Sequence, residues 1–123
     1  LPNTKCILDF LKKKYQLHII TNGFKEVQII KLNNSDIYNY FQNIIISEDI
    51  GVLKPNKSIF LHAIDLCKSS PKECLMVGDD LISDILGAKQ VGIDQVFYNY
   101  NNIKVKYQPT YMIYDLKDLE DIL

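Results

Sequence analysis

The chain has 123 residues, the length of one ordinary domain. Its composition, 47% hydrophobic and 24% charged, excludes a disordered tail and supports a buried core. The formal net charge of -1 provides no electrostatic basis for binding nucleic acid or an anionic membrane. No apolar run approaches the roughly 20 residues that span a bilayer, so we expect neither partner.

The three cysteines, Cys6, Cys67 and Cys74, form no Cys-x-x-Cys or Cys/His pair that would indicate a zinc site. Their apolar surroundings predict buried thiols in a reducing cytoplasm. Residues 1–4 do not resemble a signal peptide and include no Met. We therefore expect that the chain begins inside a longer protein.

Two patterns alternate along the chain. Short apolar runs rich in β-branched residues predict buried strands, and the amphipathic stretches between them predict helices. In chain order these are a helix at 6–15, a strand at 17–21, helices at 25–32 and 35–40, a strand at 43–47, a helix at 55–67, a strand at 74–78, a helix at 81–90, a strand at 95–98, an edge strand at 111–114 and a helix at 118–123.

Particular residues mark the ends of these elements. Ser35 is a plausible N-cap for the helix at 35–40, and Pro55 suits the first turn of its helix because its missing N–H has no partner there. Gly92 predicts a helix end, and the polar segment 99–108 predicts a loop. Strands alternating with helices predict one α/β domain over 1–123, a three-layer Rossmann-like parallel sheet with helices on both faces.

In such sheets ligands bind at the carboxyl ends of the strands. The first predicted strand ends in Thr21, Asn22 and Gly23. A hydroxyl beside consecutive N–H groups forms a natural anion cradle, although the same residues also make an ordinary turn. Lys54 precedes a predicted helix, where its ammonium and the helix dipole would both favour phosphate; a lysine there can equally be a solvated charge.

The third predicted strand ends in Gly78, followed by Asp79 and Asp80, with Asp84 on the next helix. Gathering acids costs free energy unless a positive charge compensates them, and Mg²⁺ prefers oxygen ligands. The alternative is helix capping by Asp79 or Asp80, with Asp84 as a first-turn acid. Taken with the cradle and the lysine, the acids predict a site for phosphoryl transfer, which depends on positioning and charge stabilisation.

These residues closely resemble the haloacid dehalogenase (HAD) superfamily of phosphohydrolases. Residues 19–23 look like its second motif, residues 54–55, introduced by 47–51, like its third, and residues 77–84 like its fourth. The resemblance covers nearly the whole chain.

Further runs are similar to the YjjG-like nucleotidase branch. They are Thr-Asn-Gly-Phe at 21–24, Val-Gln at 27–28, Lys-Pro-Asn-Lys-Ser-Ile-Phe at 54–60 and Pro-Thr-Tyr at 109–111.

The resemblance implies a role for each matching position of the phosphate site. Thr21 would hydrogen-bond the phosphoryl oxygens, helped by the backbone at Asn22 and Gly23. Lys54 would hold the phosphoryl group and the carboxylate of the nucleophile.

It also implies a Mg²⁺ cofactor. Asp79 would ligate the metal, and Asp84 would support the metal shell or orient Lys54. Asp80, a third candidate metal residue, stands at a position that varies in the family.

The family's first motif, Asp-x-Asp, supplies the nucleophile and the acid/base, and this sequence has no such motif. The upstream Asp9 has helical neighbours and is predicted to be a helix-surface acid. In the family, the strand of the first motif lies in the middle of the sheet, and a substrate-selecting cap follows it. The resemblance thus implies a partial core without first strand or cap. Its sheet would close by pairing strands 17–21 and 74–78, or be completed by self-association or by the missing N-terminal segment.

We therefore expect a fragment of a Mg²⁺-dependent phosphohydrolase, inactive alone, whose parent hydrolyses a small phosphorylated metabolite, with a nucleoside 5'-monophosphate as one candidate. The alternative is a non-catalytic HAD-like phosphate- and Mg²⁺-binding or regulatory module. The order Thr, Lys, acids disfavours a receiver-type phosphoacceptor domain, and the lack of a GxGxxG disfavours a dinucleotide-binding fold.

Overall fold

The computed structural model describes residues 3–123, which form five strands with helices between them. The strands are β1 (His18–Thr21), β2 (Asn43–Ile46), β3 (Leu75–Gly78), β4 (Asp94–Tyr98) and β5 (Tyr111–Ile113). The helices are α1 (Thr4–Lys12), α2 (Lys25–Asn34), α3 (Ser47–Ile50), α4 (Lys57–Leu66), α5 (Gly87–Gln90) and α6 (Leu119–Ile122). A π-helical segment, Leu81–Leu86, leads directly into α5. Short 3₁₀ turns span Tyr38–Tyr40, Pro71–Glu73 and Leu116–Asp118.

The strands form two separate parallel sheets. One contains β1 and β2, and the other has the order β3-β4-β5, with β5 at its edge as predicted. Within residues 3–123, β1 pairs only with β2, and β3 pairs on one side only, with β4. The expected pairing of strands 17–21 and 74–78 is therefore wrong: the sheet does not close between them.

Helices cover both faces of the strands, which confirms the predicted α/β class. On one side, α1 and α6 pack on β4 and β5. That cluster buries Ile7, Leu11, Val96, Tyr98, Ile113 and Leu119. On the other side, α4 and α5 pack against β2. This second cluster buries Ile45, Ile59, Phe60, Ala63, Ala88 and Ile93.

Strand burial changes sharply next to the break between the two sheets. Every residue of β1 is only half-buried, and Val77 of β3 is 37% exposed. By contrast, Val96 of β4, which pairs with Val77, is 0% exposed. Apolar strands of parallel sheets are ordinarily buried on both faces. The two strands that border the break therefore retain exposed apolar surface.

Two residues predicted to begin helices do not begin them in the structure. Ser35 does not begin a helix; its N–H donates to the Lys31 carbonyl oxygen at 3.0 Å and ends α2. Likewise α4 begins at Lys57 rather than Pro55. The Asn56 Oδ1 atom accepts from the Ser58 N–H at 2.9 Å, the bond that an N-cap makes.

Other expectations are met more closely. Gly92 follows α5 with a φ of 82°, the left-handed conformation in which glycine ends helices. The segment 99–108 is irregular, as predicted. The prediction of buried thiols is wrong for Cys6, which is exposed because α1 buries Ile7, Leu8 and Leu11 instead, and Cys67 and Cys74 are only half-buried. No helix among residues 3–123 has the length and apolar character needed to cross a membrane.

Candidate active site

Lys54 occupies the centre of the candidate site. Its Nζ atom donates to the Ile20 carbonyl oxygen at 3.0 Å and to Asp84 Oδ1 at 2.5 Å. Both side chains are nearly buried, with 10% of the lysine and 7% of the aspartate exposed. A charge-assisted bond of this length is among the stronger ones in proteins. One ammonium group therefore connects the end of β1 with the segment after β3, although the two strands do not pair.

Close packing under the end of β3 directs Asp84 toward Lys54. A Cβ atom placed on Gly78 would lie 2.4 Å from both Cβ and Oδ2 of Asp84, so the carboxylate rests directly on the glycine. Asp84 Oδ2 also accepts from the Asp80 N–H at 3.2 Å. The π-helical segment brings Asp84 to this position, since the Asp80 carbonyl accepts from both Asp84 N (3.1 Å) and Ile85 N (3.2 Å).

Asp80 caps the helix that follows it. Its Oδ1 atom accepts from the N–H groups of Ile82 at 3.0 Å and Ser83 at 2.8 Å. The Ser83 N–H is the main reason why the pKa of Asp80 lies below its usual value. The capping alternative raised by the sequence therefore describes Asp80, and one of its oxygens is committed to the helix.

Replacing Asp80 by alanine is expected to lower the free energy of unfolding by about 1 kcal/mol at pH 7, the usual cost of losing an N-cap. Because the folded-state pKa is depressed, this contribution is present above the unfolded value of about 3.9 and is lost as the pH falls through the folded value. Urea denaturation at decreasing pH should therefore show that the difference in free energy of unfolding between wild type and Asp80→Ala becomes smaller. Asp65→Ala, an exposed acid on α4, should cause no comparable loss.

Asp79 is the most available acid of the cluster. It is exposed at the end of β3, and within residues 3–123 no side chain or N–H group hydrogen-bonds its carboxylate. No three His, Cys, Asp or Glu side chains in that range come together as a ready-made metal site. Mg²⁺ commonly binds one or two carboxylates and completes its shell with waters and substrate phosphate. The carboxylates of Asp79 and Asp84 fit that chemistry, and the metal assignment of Asp79, Asp84 and Asp80 stays a prediction.

The loop after β1 has the internal bonding of an anion cradle. Thr21 Oγ1 accepts from the Gly23 N–H at 3.1 Å, which leaves the hydroxyl proton available for an outside acceptor. The Gln28 amide packs on Gly23 so closely that a Cβ there would lie 1.8 Å from Nε2. The structure thus holds Thr21 and Gly23 in one compact turn at the same end of the strands as Lys54.

The Asn22 side chain makes contacts that the sequence did not indicate. Its Oδ1 atom accepts from the Lys54 N–H at 2.7 Å, and its Nδ2 atom donates to the Lys54 carbonyl oxygen at 3.2 Å. The two residues are 32 positions apart, and no local pattern marks the pairing. The predicted phosphate-binding residues Thr21, Asn22, Gly23 and Lys54 are therefore brought together, with the Asn22 amide facing Lys54.

A second unpredicted contact holds the start of α2. The single-turn helix α3 places Glu48 Oε2 3.0 Å from the Lys25 N–H, from which it accepts a hydrogen bond. Lys25 Nζ also pairs with Asp49 Oδ1 at 3.3 Å. Because α2 begins directly after the loop at 21–24, these acids anchor the far end of that loop.

Asp9 lies apart from these residues, on the exposed surface of α1. The Tyr40 hydroxyl donates to its Oδ1 atom at 2.5 Å, which lowers the pKa of Asp9, and Lys12 Nζ lies 3.7 Å away. Asp9 is thus a helix-surface acid, as predicted.

The chain is similar in sequence to hydrolases of known families. Residues 1–92 match the model of the haloacid dehalogenase-like hydrolase family. The chain is 34% identical to pyrimidine 5'-nucleotidase YjjG of Escherichia coli, over 100% of the chain and 56% of that protein. It is 35% identical to glyceraldehyde 3-phosphate phosphatase of Pyrococcus furiosus, over 97% of the chain and 52% of that protein. The chain therefore spans about half the length of these curated relatives.

Solved structures show the same partial coverage. A HAD phosphatase from Thermococcus onnurineus superimposes with a TM-score of 0.94 at 36% identity, over 99% of this chain and 57% of that one. The putative HAD-hydrolase YfnB of Bacillus subtilis, bound to magnesium, gives 0.93 at 29% identity, over 99% of this chain and 55% of that one. The two-sheet arrangement of residues 3–123 therefore corresponds to part of a larger known fold.

Proposed function

Since the chain belongs to the haloacid dehalogenase-like hydrolase family, we propose that it forms part of the catalytic core of a Mg²⁺-dependent phosphatase acting on a small phosphomonoester. The observation that carries this proposal is the buried Lys54 ammonium, held between Ile20 and Asp84 at the carboxyl ends of the strands. A buried cation beside a hydroxyl-bearing turn is suited to an anionic phosphoryl group.

Two side chains would act on the phosphoryl group directly. The Thr21 hydroxyl, whose oxygen already accepts from Gly23, would donate its proton to a phosphoryl oxygen. Lys54 would place its positive charge where negative charge accumulates as the phosphoryl group transfers. Its bonds to Ile20 and Asp84 hold that charge in position before substrate binds, so little reorganisation is needed.

Asp79 would hold Mg²⁺, and Asp84, which is bonded to Lys54, would support the metal site. Asp80 is a weaker candidate for a metal ligand because one of its oxygens caps a helix. When bound, the metal neutralises charge on the phosphoryl oxygens. The magnesium-bound YfnB structure supports the choice of metal.

The nucleophile would come from outside the 123 residues. The sequence has no Asp-x-Asp motif, and Asp9 lies on the outer surface of α1. Meanwhile, in the part of the chain that the structure describes, β1 and β3 each leave one edge unpaired, with half-exposed apolar residues beside the break. A strand placed between them would bury that surface, and an Asp-x-Asp motif at its carboxyl end would lie near Lys54. A segment of the same protein or of another copy would supply this strand, and the chain alone would not turn over substrate.

The proposed substrate class is based on the substrates in the names of related proteins. YjjG of Escherichia coli and PynA of Streptococcus pneumoniae are named pyrimidine 5'-nucleotidases, and the Pyrococcus furiosus relative is named a glyceraldehyde 3-phosphate phosphatase. All three names indicate enzymes that act on small phosphomonoesters. Because two of the three are nucleotidases, a nucleoside 5'-monophosphate is our first candidate substrate. The alternative is a phosphate- and Mg²⁺-binding regulatory module, and a cytoplasmic location remains our expectation for either.

Hydrolysis of p-nitrophenyl phosphate and of UMP by the full-length protein tests the proposal. We expect turnover that requires Mg²⁺, is abolished by EDTA, and falls by at least about 100-fold in Asp79→Asn, since Asp79 would hold the charge-neutralising metal. Asp65→Asn, an exposed acid on α4, is the matched control and should keep full activity.

Two outcomes would contradict parts of this proposal. Mg²⁺ and phosphate binding by the full-length protein without any turnover would favour the regulatory module. Turnover by the isolated 123-residue chain, lost in Asp79→Asn, would show that the nucleophile lies within these residues after all.

A further inference from the structure

We infer that the Asn22 side chain is a positioning residue, which sets the place from which Lys54 reaches the phosphoryl group. The effect of Asn22 on catalysis rests on the proposed phosphatase function, whereas its effect on the position of Lys54 does not. The sequence expectation assigned the Asn22 backbone to the phosphate cradle, whereas this inference concerns the Asn22 side chain.

Asn22 holds the backbone of Lys54 at two points. The amide oxygen accepts from the Lys54 N–H at 2.7 Å, and the amide nitrogen donates to the Lys54 carbonyl oxygen at 3.2 Å. A planar amide that contacts both the N–H and the carbonyl oxygen of one residue holds the backbone of that residue in orientation as well as in distance. The start of the Lys54 side chain is therefore held by the loop after β1.

The other end of the Lys54 side chain returns to the same stretch of chain. Its Nζ atom donates to the carbonyl oxygen of Ile20, only two residues before Asn22. Both ends of the lysine are thus fastened to the end of β1, and the remaining ammonium contact crosses the break in the sheet to Asp84. A free lysine side chain has many rotamers, and this double attachment restricts them before substrate binds.

Without Asn22, the backbone from which Lys54 extends would not be held, so its ammonium contacts to Ile20 and Asp84 would form only part of the time. The charge would then be misplaced relative to Thr21, which lies on the same loop. Misplacement by about 1 Å can cost about 100-fold in rate without any loss of a catalytic group. Asn22 would therefore influence the reaction only through Lys54.

The structural part is tested by ¹⁵N NMR of the lysine ammonium groups in the full-length protein. Wild type should show a Lys54 signal protected from solvent exchange, because the side chain is 10% exposed. In Asn22→Ala this signal should broaden or disappear. In Asn22→Asp, which keeps the acceptor for the Lys54 N–H but loses the donor, the effect should be intermediate.

Asn56→Ala is the matched control. Asn56 lies two residues after Lys54 and caps α4, but its side chain bonds Ser58 rather than Lys54. This variant should lose stability yet keep the protected Lys54 signal. An unchanged Lys54 signal in Asn22→Ala, or an equal loss in Asn56→Ala, would overturn the inference.

The catalytic part is tested by steady-state kinetics of the same variants. Asn22→Ala should lower kcat by about 100-fold with little change in KM, because Lys54 is still present but misplaced. Asn56→Ala should keep both parameters close to wild type at temperatures where it stays folded. A rise in KM alone would instead assign Asn22 to substrate binding. If wild type has no activity, the proposed function fails, whereas the NMR comparison still decides the role of Asn22.

Discussion

Lys54→Met is expected to lower the free energy of unfolding by about 3–5 kcal/mol, the usual cost of removing one partner from a buried ion pair. Lys54 and Asp84 are 10% and 7% exposed, so the substitution would leave the Asp84 carboxylate buried without its counter-charge. Urea denaturation of wild type and variant at pH 7 measures the difference. Methionine keeps most of the side-chain volume, so the loss reports on charge more than on packing.

Lys25→Met provides the matched control. Lys25 also forms an ion pair with an aspartate, Asp49, but these side chains are 52% and 46% exposed. Exposed pairs contribute at most about 1 kcal/mol, so this variant should lose far less stability. Equal losses in the two variants would contradict a special role for the buried pair. A double variant, Lys54→Met with Asp84→Leu, should recover part of the loss because no buried charge remains.

Gly78→Ala is expected to have the next largest effect, a loss of about 3 kcal/mol, at the upper end of the usual range for overpacking. The new Cβ atom would lie 2.4 Å from Cβ and Oδ2 of Asp84, so either β3 or the acid must move. Movement of Asp84 would lengthen its bond to Lys54, and the substitution would therefore also reduce the proposed phosphatase activity of the full-length protein. Urea denaturation and the phosphatase assay together measure both effects.

Two comparisons make this result interpretable. Gly51→Ala adds a methyl group with nothing within 4 Å, at a φ of 84°, and should cost about 1–2 kcal/mol through backbone strain alone without affecting activity. In addition, Gly78→Ala and Lys54→Met should be non-additive, because both act through Asp84. Additive losses would show that Gly78 is needed for reasons other than the position of Asp84.

The Lys54 contacts predicted to stabilise the protein also cross the break between the two sheets. Lys54 connects the sheets through Ile20 and Asp84, at the end of the strands where the polar residues collect. The strands themselves make no bonds across the break within residues 3–123. The candidate phosphate-site residues are therefore held across the break by side chains and loops, and we expect the contacts that would serve catalysis to stabilise the fold as well.

Some sequence signals failed because a neighbouring residue offered a better alternative. Ser35 and Pro55 are both acceptable at helix starts, but Asn56 caps α4 through Ser58, and the chain at Ser35 completes the last turn of α2. Similarly, α3 is a single turn whose acids bind across to Lys25, a distant contact that no window of the local sequence contains.

The sequence by itself determined the α/β class and the edge of the sheet at which the candidate residues lie. Thr21 ends an apolar strand, and Lys54, Asp79 and Asp84 come after apolar strands. Because the carboxyl ends of parallel strands lie at the same edge, the pattern alone places these residues there. Only the tertiary structure decided what each side chain contacts there. Asn22 turns to the Lys54 backbone, Lys54 reaches Ile20, and Gly78 leaves room for Asp84. The Lys54 contacts join positions about 30 residues apart, and their geometry depends on how whole strands and helices pack.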